Sequence, residues 1–116
     1  MKAEEVITSL HTENVEKARD FFGVLGLSRT TLDLGWVTRF SSPETGASVQ
    51  VVTADASAPA DSQLTIKVDD VDGAYALMQE RGFEIVHPLT DEPWGIRRFF
   101  VRSPDGQVVN VARHRV

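Results

Sequence analysis

Apolar and polar residues alternate over residues 5–11, with Val6, Thr8 and Leu10 on one face and Ile7, Ser9 and His11 on the other, the period of a half-buried strand. The period then changes. Val15, Ala18, Phe22 and Leu25 recur at helical spacing behind Asn14, a good N-cap, and Gly26 is placed to end the helix as a C′ glycine. Strands are expected over residues 27–33, 36–41 and 47–53, separated by Leu34-Gly35 and by Ser42-Pro43-Glu44-Thr45-Gly46. Residues 63–68 alternate again, with Leu64, Ile66 and Val68 opposite Gln63, Thr65 and Lys67. Asp70 can cap a second helix that carries Val71, Ala74, Leu77 and Met78 in a stripe and ends at Gly82. Residues 83–86, 97–102 and 107–112 read as the remaining strands, and residues 87–95, with Pro88, Pro93 and Trp94, as a long loop.

The same order of elements is thus written twice. Asn14 and Asp70, Ala18 and Ala74, Phe22 and Met78, and Gly26 and Gly82 are all separated by one constant offset. Ser42-Pro43…Gly46 before Ser48-Val49-Gln50-Val51 is echoed by Ser103-Pro104-Asp105-Gly106 before Val108-Val109-Asn110-Val111 at a slightly larger one. In Ser103-Pro104-Asp105-Gly106 Pro sets φ and Gly accepts a positive φ, which is a structural role. The pattern predicts an α+β domain over residues 1–116, made of two βαβββ modules in tandem: module one over about 1–54, a linker over about 55–62 and module two over about 63–116. The halves are expected to form a pseudo-two-fold mixed sheet with a site where they meet.

A strand covered by a helix is apolar on that side. Val6/Leu10, Val49/Val51, Leu64/Ile66/Val68 and Val109/Val111 are therefore assigned to the helix side. The opposite side holds Ile7, Ser9 and His11, then Ser48, Gln50 and Val52, then Gln63, Thr65 and Lys67, and last Val108, Asn110 and Ala112. This mixture suits a small-molecule cavity or a solvated face, and alternation alone does not choose between them.

Composition narrows the classes. At 116 residues there is room for one domain, and 41% hydrophobic with 25% charged residues is ordinary for a globular chain. No run approaches the roughly 18 apolar residues of a membrane span. Met1-Lys2-Ala3-Glu4-Glu5 lacks a signal-peptide stretch, and without cysteine there is no disulfide or thiolate metal site, so a cytoplasmic protein without a membrane partner is expected. A formal charge of −5 argues mildly against nucleic acid and is only a weak signal for a cationic small molecule, since many cytosolic proteins are this acidic.

The paired modules carry Asn14-Val15-Glu16-Lys17-Ala18-Arg19-Asp20-Phe21-Phe22 running into Leu25-Gly26-Leu27, then Val68-Asp69-Asp70-Val71, then Phe99-Phe100-Val101-Arg102-Ser103-Pro104-Asp105-Gly106. In this the chain resembles the vicinal oxygen chelate superfamily, which includes glyoxalase I, extradiol dioxygenases, fosfomycin-resistance transferases and bleomycin-resistance binding proteins. Metal-dependent members hold a divalent ion with His or Glu from four equivalent strand positions. Carried onto this chain by the resemblance, those positions are Ile7, Gln63, Gln50 and Asn110. A hydrocarbon cannot ligate and neutral amides are poor ligands for zinc or nickel. A register shift of one residue brings in Val6, Thr8, Ser62, Leu64, Val49, Val51, Val109 or Val111, which supply no ligand set either. The resemblance therefore implies the fold, with no metal and no cofactor expected, and is closest to the bleomycin-resistance-like branch.

His11 ends the first strand on the cup side, where it either bonds the nearby turn or orients a ligand. His87, in the expected loop, and His114, in a basic tail with Arg113 and Arg115, are expected to be solvated. Trp94 in its Pro-Trp-Gly loop either contacts a ligand or lids the edge of the core, the resemblance favouring the ligand, and Trp36 is read as a ligand, core or dimer contact. Arg97, Arg98 and Arg102 either serve an anionic ligand or, as is usual, snorkel from an exposed strand, and Lys67 is expected to reach solvent at a strand end. Asp69 and Asp70 are read as caps. The resemblance implies a cup-shaped sheet and a metal-independent small-molecule binding protein, with antibiotic sequestration as its role and a homodimer as its assembly. The ligand-binding residues are Ile7, Ser9, His11, Trp36, Gln50, Gln63, Thr65, Trp94 and Asn110, and no catalytic residue is named. Two alternatives are a glyoxalase-like lyase or dioxygenase with atypical metal ligands, and a metal-free isomerase working through His11 or Lys67.

Overall fold

Asn14 and Asp70 start the two helices in the same way. In the computed structural model, which describes residues 1–55, 58–59 and 62–115, Asn14 Oδ1 accepts from Lys17 N at 3.1 Å and Asp70 Oδ1 from Gly73 N at 2.9 Å. Each side chain satisfies one orphan amide of a first helical turn. The helices are α1 (Val15–Val24) and α2 (Val71–Glu80). Gly26 and Gly82 follow the C-cap residues Leu25 and Arg81 at φ 93° and 77°, a left-handed step that glycine takes without strain. The strands are β1 (Ala3–His11), β2 (Arg29–Asp33), β3 (Val37–Ser41), β4 (Ser48–Val52), β5 (Ser62–Val68), β6 (Ile85–Asp91), β7 (Ile96–Arg102) and β8 (Val108–His114). The order is βαβββ twice, so the expected α+β class with two tandem modules and mixed sheets is what the chain adopts.

The chain divides into two compact units. The first holds residues 7–11 of β1 with α1 and β2 to β4, in the strand order β2-β3-β4-β1. Here β1 runs parallel to β4 with Ser9 opposite Gln50, and β3 is antiparallel to both β2 and β4. Phe40, Val49 and Val51 are buried under Val15, Ala18, Phe22 and Leu27, and the rings of Phe22 and Phe40 stack at 6.3 Å.

The second unit holds Met1–Val6, α2 and β5 to β8, in the order β5-β8-β7-β6. β5 runs parallel to β8 with Thr65 opposite Asn110, and β7 is antiparallel to both β8 and β6. Its core joins Val68, Val71, Ala74, Phe99, Val101 and Val111, with Ile66, Tyr75, Met78 and Val109 packed against them. Lys2 ties the start of β1 to the end of β5: its N–H donates to Asp69 Oδ1 at 2.8 Å and its carbonyl accepts from Asp69 N at 3.0 Å. Asp69 is thus a strand tie and Asp70 the cap. The Lys2 backbone N–H is also the main cause holding the Asp69 carboxyl below its ordinary value.

Val49, Val51, Ile66, Val68, Val109 and Val111 lie on the helix side as their alternation predicts. Val6 and Leu10 depart from it, being 62% and 37% exposed. For Leu10 the reason is the footprint of α1, which rests on Phe40, Val49 and Val51 of β3 and β4 and leaves it uncovered.

The expected long loop is also shorter. β6 continues through Pro88 to Asp91, because it is the outermost strand and an edge tolerates the missing N–H. Its register shifts on both sides of His87 absorb the irregularity. Only Glu92-Pro93-Trp94-Gly95 turns, closed by Glu92 N to Ile96 O at 2.7 Å and by Gly95 at φ 93°. Arg113 and His114 belong to β8 and pair with Arg97 and Ile96. Of the expected linker, residues 56, 57, 60 and 61 lie outside the described residues, and Ser62 already begins β5. Among the described residues no helix is long and apolar enough to cross a membrane.

Candidate functional site

In module one the side of the sheet away from α1 is organised by a side-chain chain of three. Register places Ser9 and Arg39 on either side of Gln50. Gln50 Nε2 donates to Ser9 Oγ at 3.2 Å, and Arg39 Nη2 donates to Gln50 Oε1 at 3.3 Å. Ser9 is buried and Gln50 half-buried. Ile7, 1% exposed, supplies hydrocarbon on the same side of β1, while His11 is exposed at the far end of the strand. Trp36 is half-buried and enters β3 behind Gly35; its carbonyl accepts from Thr53 N at 2.9 Å and Thr53 Oγ1 at 3.3 Å. Arg39 was missed from the sequence. Alternation along Val37, Arg39 and Ser41 holds the signal, but only the register with β4 shows that it meets Gln50.

Module two repeats the amide–hydroxyl pair. Asn110 Nδ2 donates to Thr65 Oγ1 at 3.1 Å, between directly paired residues of β8 and β5. Asn110 Oδ1 is buried and accepts no hydrogen bond, and Phe100 is its neighbour on β7. Gln63 is exposed and falls at the register shift between Ser62 and Leu64 in the β5–β8 pairing.

Arg98 reverses its expectation. It does not snorkel: it is 4% exposed, and its Nε donates to Glu92 Oε1 at 3.3 Å. Its guanidinium lies 5.0 Å from the Trp94 ring centroid and 4.9 Å from that of Phe100. A buried cation needs a partner, and the carboxylate and two aromatic faces together provide compensation. Trp94 is therefore half-buried against Arg98 and does not stand free in a loop. His87 likewise is half-buried, its ring edge-on to Phe100 at 5.7 Å, and is not a solvated loop residue. Arg97 and Arg102 do reach the surface, where Arg97 binds Asp72 (2.7 and 3.1 Å) and Asp91 (3.0 Å) and Arg102 binds Glu84 (3.2 Å). The Arg97 hydrogen bond holds the Asp72 carboxyl below its ordinary value. Lys67 does not run freely into solvent either: its side chain is 17% exposed and lies 3.6 Å from Glu5 Oε1.

A chain of two tandem βαβββ modules, each with a helix on one side of a mixed sheet and polar groups on the other, is an α+β fold of recognisable class. Residues 6–111 match the family model of the Glyoxalase/Bleomycin resistance protein/Dioxygenase superfamily, and the chain belongs to that superfamily. No protein of curated function matches it significantly in sequence. Similar solved structures include an NAD-dependent benzaldehyde dehydrogenase from Legionella pneumophila, at 16% identity and TM-score 0.78 over 96% of this chain and 100% of that one. An uncharacterised protein from Methanosarcina mazei shares 24% identity at TM-score 0.67, over 98% of this chain and 94% of that one. A glyoxalase/bleomycin resistance protein/dioxygenase superfamily member from Vibrio splendidus 12B01 shares 15% identity at TM-score 0.66, over 94% and 97%. At these identities the likeness concerns the fold.

The residues at the superfamily's metal-ligand positions do not fit a divalent ion. Ile7 has no donor atom, and Gln63 and Asn110 offer only neutral amides. The Gln50 carbonyl already accepts from a guanidinium, whose positive charge opposes a cation at the same oxygen. Among the described residues no three His, Cys, Asp or Glu side chains are grouped as a metal site needs.

Proposed function

We propose that this chain is a metal-independent small-molecule binding protein, of the bleomycin-resistance-like kind, that acts by sequestering its ligand as a homodimer. The observation that carries the reading is the engagement of Gln50: its amide is held between Ser9 and Arg39 in a neutral-to-cationic hydrogen-bond chain. Such a chain suits oriented polar recognition and opposes metal chelation. Ser9, Gln50 and Ile7 in module one, and Thr65, Asn110 and Trp94 in module two, supply hydroxyl, amide, apolar and aromatic contacts. His11, Trp36 and Gln63 are the outlying members of the same set. Antibiotic resistance is the role this binding would serve.

Trp36 and Trp94, the chain's two tryptophans, provide the readout. Chelator-treated protein titrated with glycopeptide, aromatic and cationic drugs is expected to show saturable quenching by at least one of them, unchanged by the chelator. Emission that never responds, or a response that chelation abolishes and a divalent ion restores, contradicts the proposal. The second outcome would favour a glyoxalase-like lyase or dioxygenase with atypical ligands.

A further inference from the structure

An open cleft of about 460 Å³ lies within the second unit, lined by Glu4, Glu5, Lys67, Val68, Arg113 and His114. The start of β1 contributes the two carboxylates, β5 the lysine, and the end of β8 the arginine and histidine. Lys67 Nζ sits 2.8 Å from His114 Nε2 and 3.6 Å from Glu5 Oε1. An ammonium offers only donors, so a charged Lys67 bonds His114 through Nε2 as the acceptor, which requires the tautomer with its proton on Nδ1. A mostly buried amine, a base in contact with it, a counter-ion and adjacent open volume are the parts that carbonyl condensation requires.

We propose that Lys67 is a carbonyl-trapping nucleophile that takes small aldehydes as a protonated imine, with His114 moving the proton. His114 Nε2 accepts a proton from Nζ, and the nitrogen bonds to the carbonyl carbon to give a carbinolamine. The imidazolium returns the proton to the carbinolamine hydroxyl, the C–O bond breaks and water leaves. Ammonium and aldehyde thus become iminium and water, with no oxidant or reductant. Glu5 faces one positive charge before and after, so the ion pair does not oppose the reaction. Burial favours the product, because an ammonium carries three N–H donors that need solvation and an iminium carries one. Lys2 and Lys17 are exposed and gain no such bias.

The chain contains three lysines, so it carries its own control. The full chain is incubated with propanal and cyanoborohydride, and the reduced adducts are located by peptide mass mapping over time. Lys67 is expected to be labelled about tenfold faster than Lys2 or Lys17, and His114→Gln to slow Lys67 labelling by about tenfold or more while leaving Lys2 and Lys17 unchanged. Equal labelling of the three lysines, or faster labelling of Lys2 or Lys17, overturns the proposal. An unchanged Lys67 rate in His114→Gln overturns the role of His114. The comparison among lysines is made first in the unsubstituted chain, so misfolding of a variant cannot imitate the result. It is also independent of whether the drug panel quenches tryptophan emission.

Discussion

Ser9–Gln50 in module one and Thr65–Asn110 in module two are the same construction built twice: a last-strand amide donating to a first-strand hydroxyl, at 3.2 Å and 3.1 Å. What surrounds the two amides differs. Gln50 has Arg39 as its β3 neighbour and accepts from it, whereas Asn110 has Phe100 as its β7 neighbour and its carbonyl accepts nothing. The charge on the module-two face sits instead on Arg98, between Glu92, Trp94 and Phe100. Duplication has preserved the backbone register, while the residue opposite each amide sets whether its carbonyl is used.

The largest effect is expected at the buried ion pair. Glu92→Gln leaves Arg98 charged without its carboxylate and should destabilise by about 3–5 kcal/mol, while Glu92→Leu combined with Arg98→Met should recover most of that loss. Urea unfolding of the single and double variants measures both. If Glu92→Gln costs little, Arg98 is not compensated in the way described.

A smaller effect separates the two amides. Gln50→Leu removes the acceptor of Arg39 and the donor to Ser9 and should cost about 1–3 kcal/mol. Asn110→Leu removes the donor to Thr65 Oγ1 and a carbonyl that already lacks a hydrogen bond, so it loses one bond where Gln50→Leu loses two and should cost less. Equal shifts in denaturation midpoint would erase the distinction between the modules.

The smallest effect concerns pH. The Asp72 carboxyl, held below its ordinary 3.8 by Arg97, binds fewer protons folded than unfolded. Its contribution is therefore complete above the unfolded value and fades as pH falls through the lower folded one. Stability should drop on acidification from pH about 5 to 3, and Asp72→Asn should flatten that slope slightly. A slope unaltered by the substitution would remove Asp72 from the account.

Local signals carried most of the fold. The Asn14 and Asp70 caps, the glycines at 26 and 82 and the alternation in β4, β5 and β8 are all written within a few residues of the structure they specify. The fold departs from the sequence reading where tertiary position overrides a local rule. Pro88 reads as loop, yet β6 is an edge strand and runs through it. Leu10 reads as helix-covered, but the reach of α1 across its sheet is not encoded in β1. At the site, the amides and hydroxyls followed from alternation. Arg39 and the Arg98–Glu92 pair did not, because a lone arginine on a strand usually snorkels and only cross-strand register or the fold of the turn brings it a partner.

Native mass spectrometry of the purified chain, incubated with excess zinc, nickel and manganese and then buffer-exchanged, tests the central claim most directly. The account predicts the mass of the polypeptide without a stoichiometric ion. A one-to-one metal adduct that Gln50→Ala abolishes would contradict it.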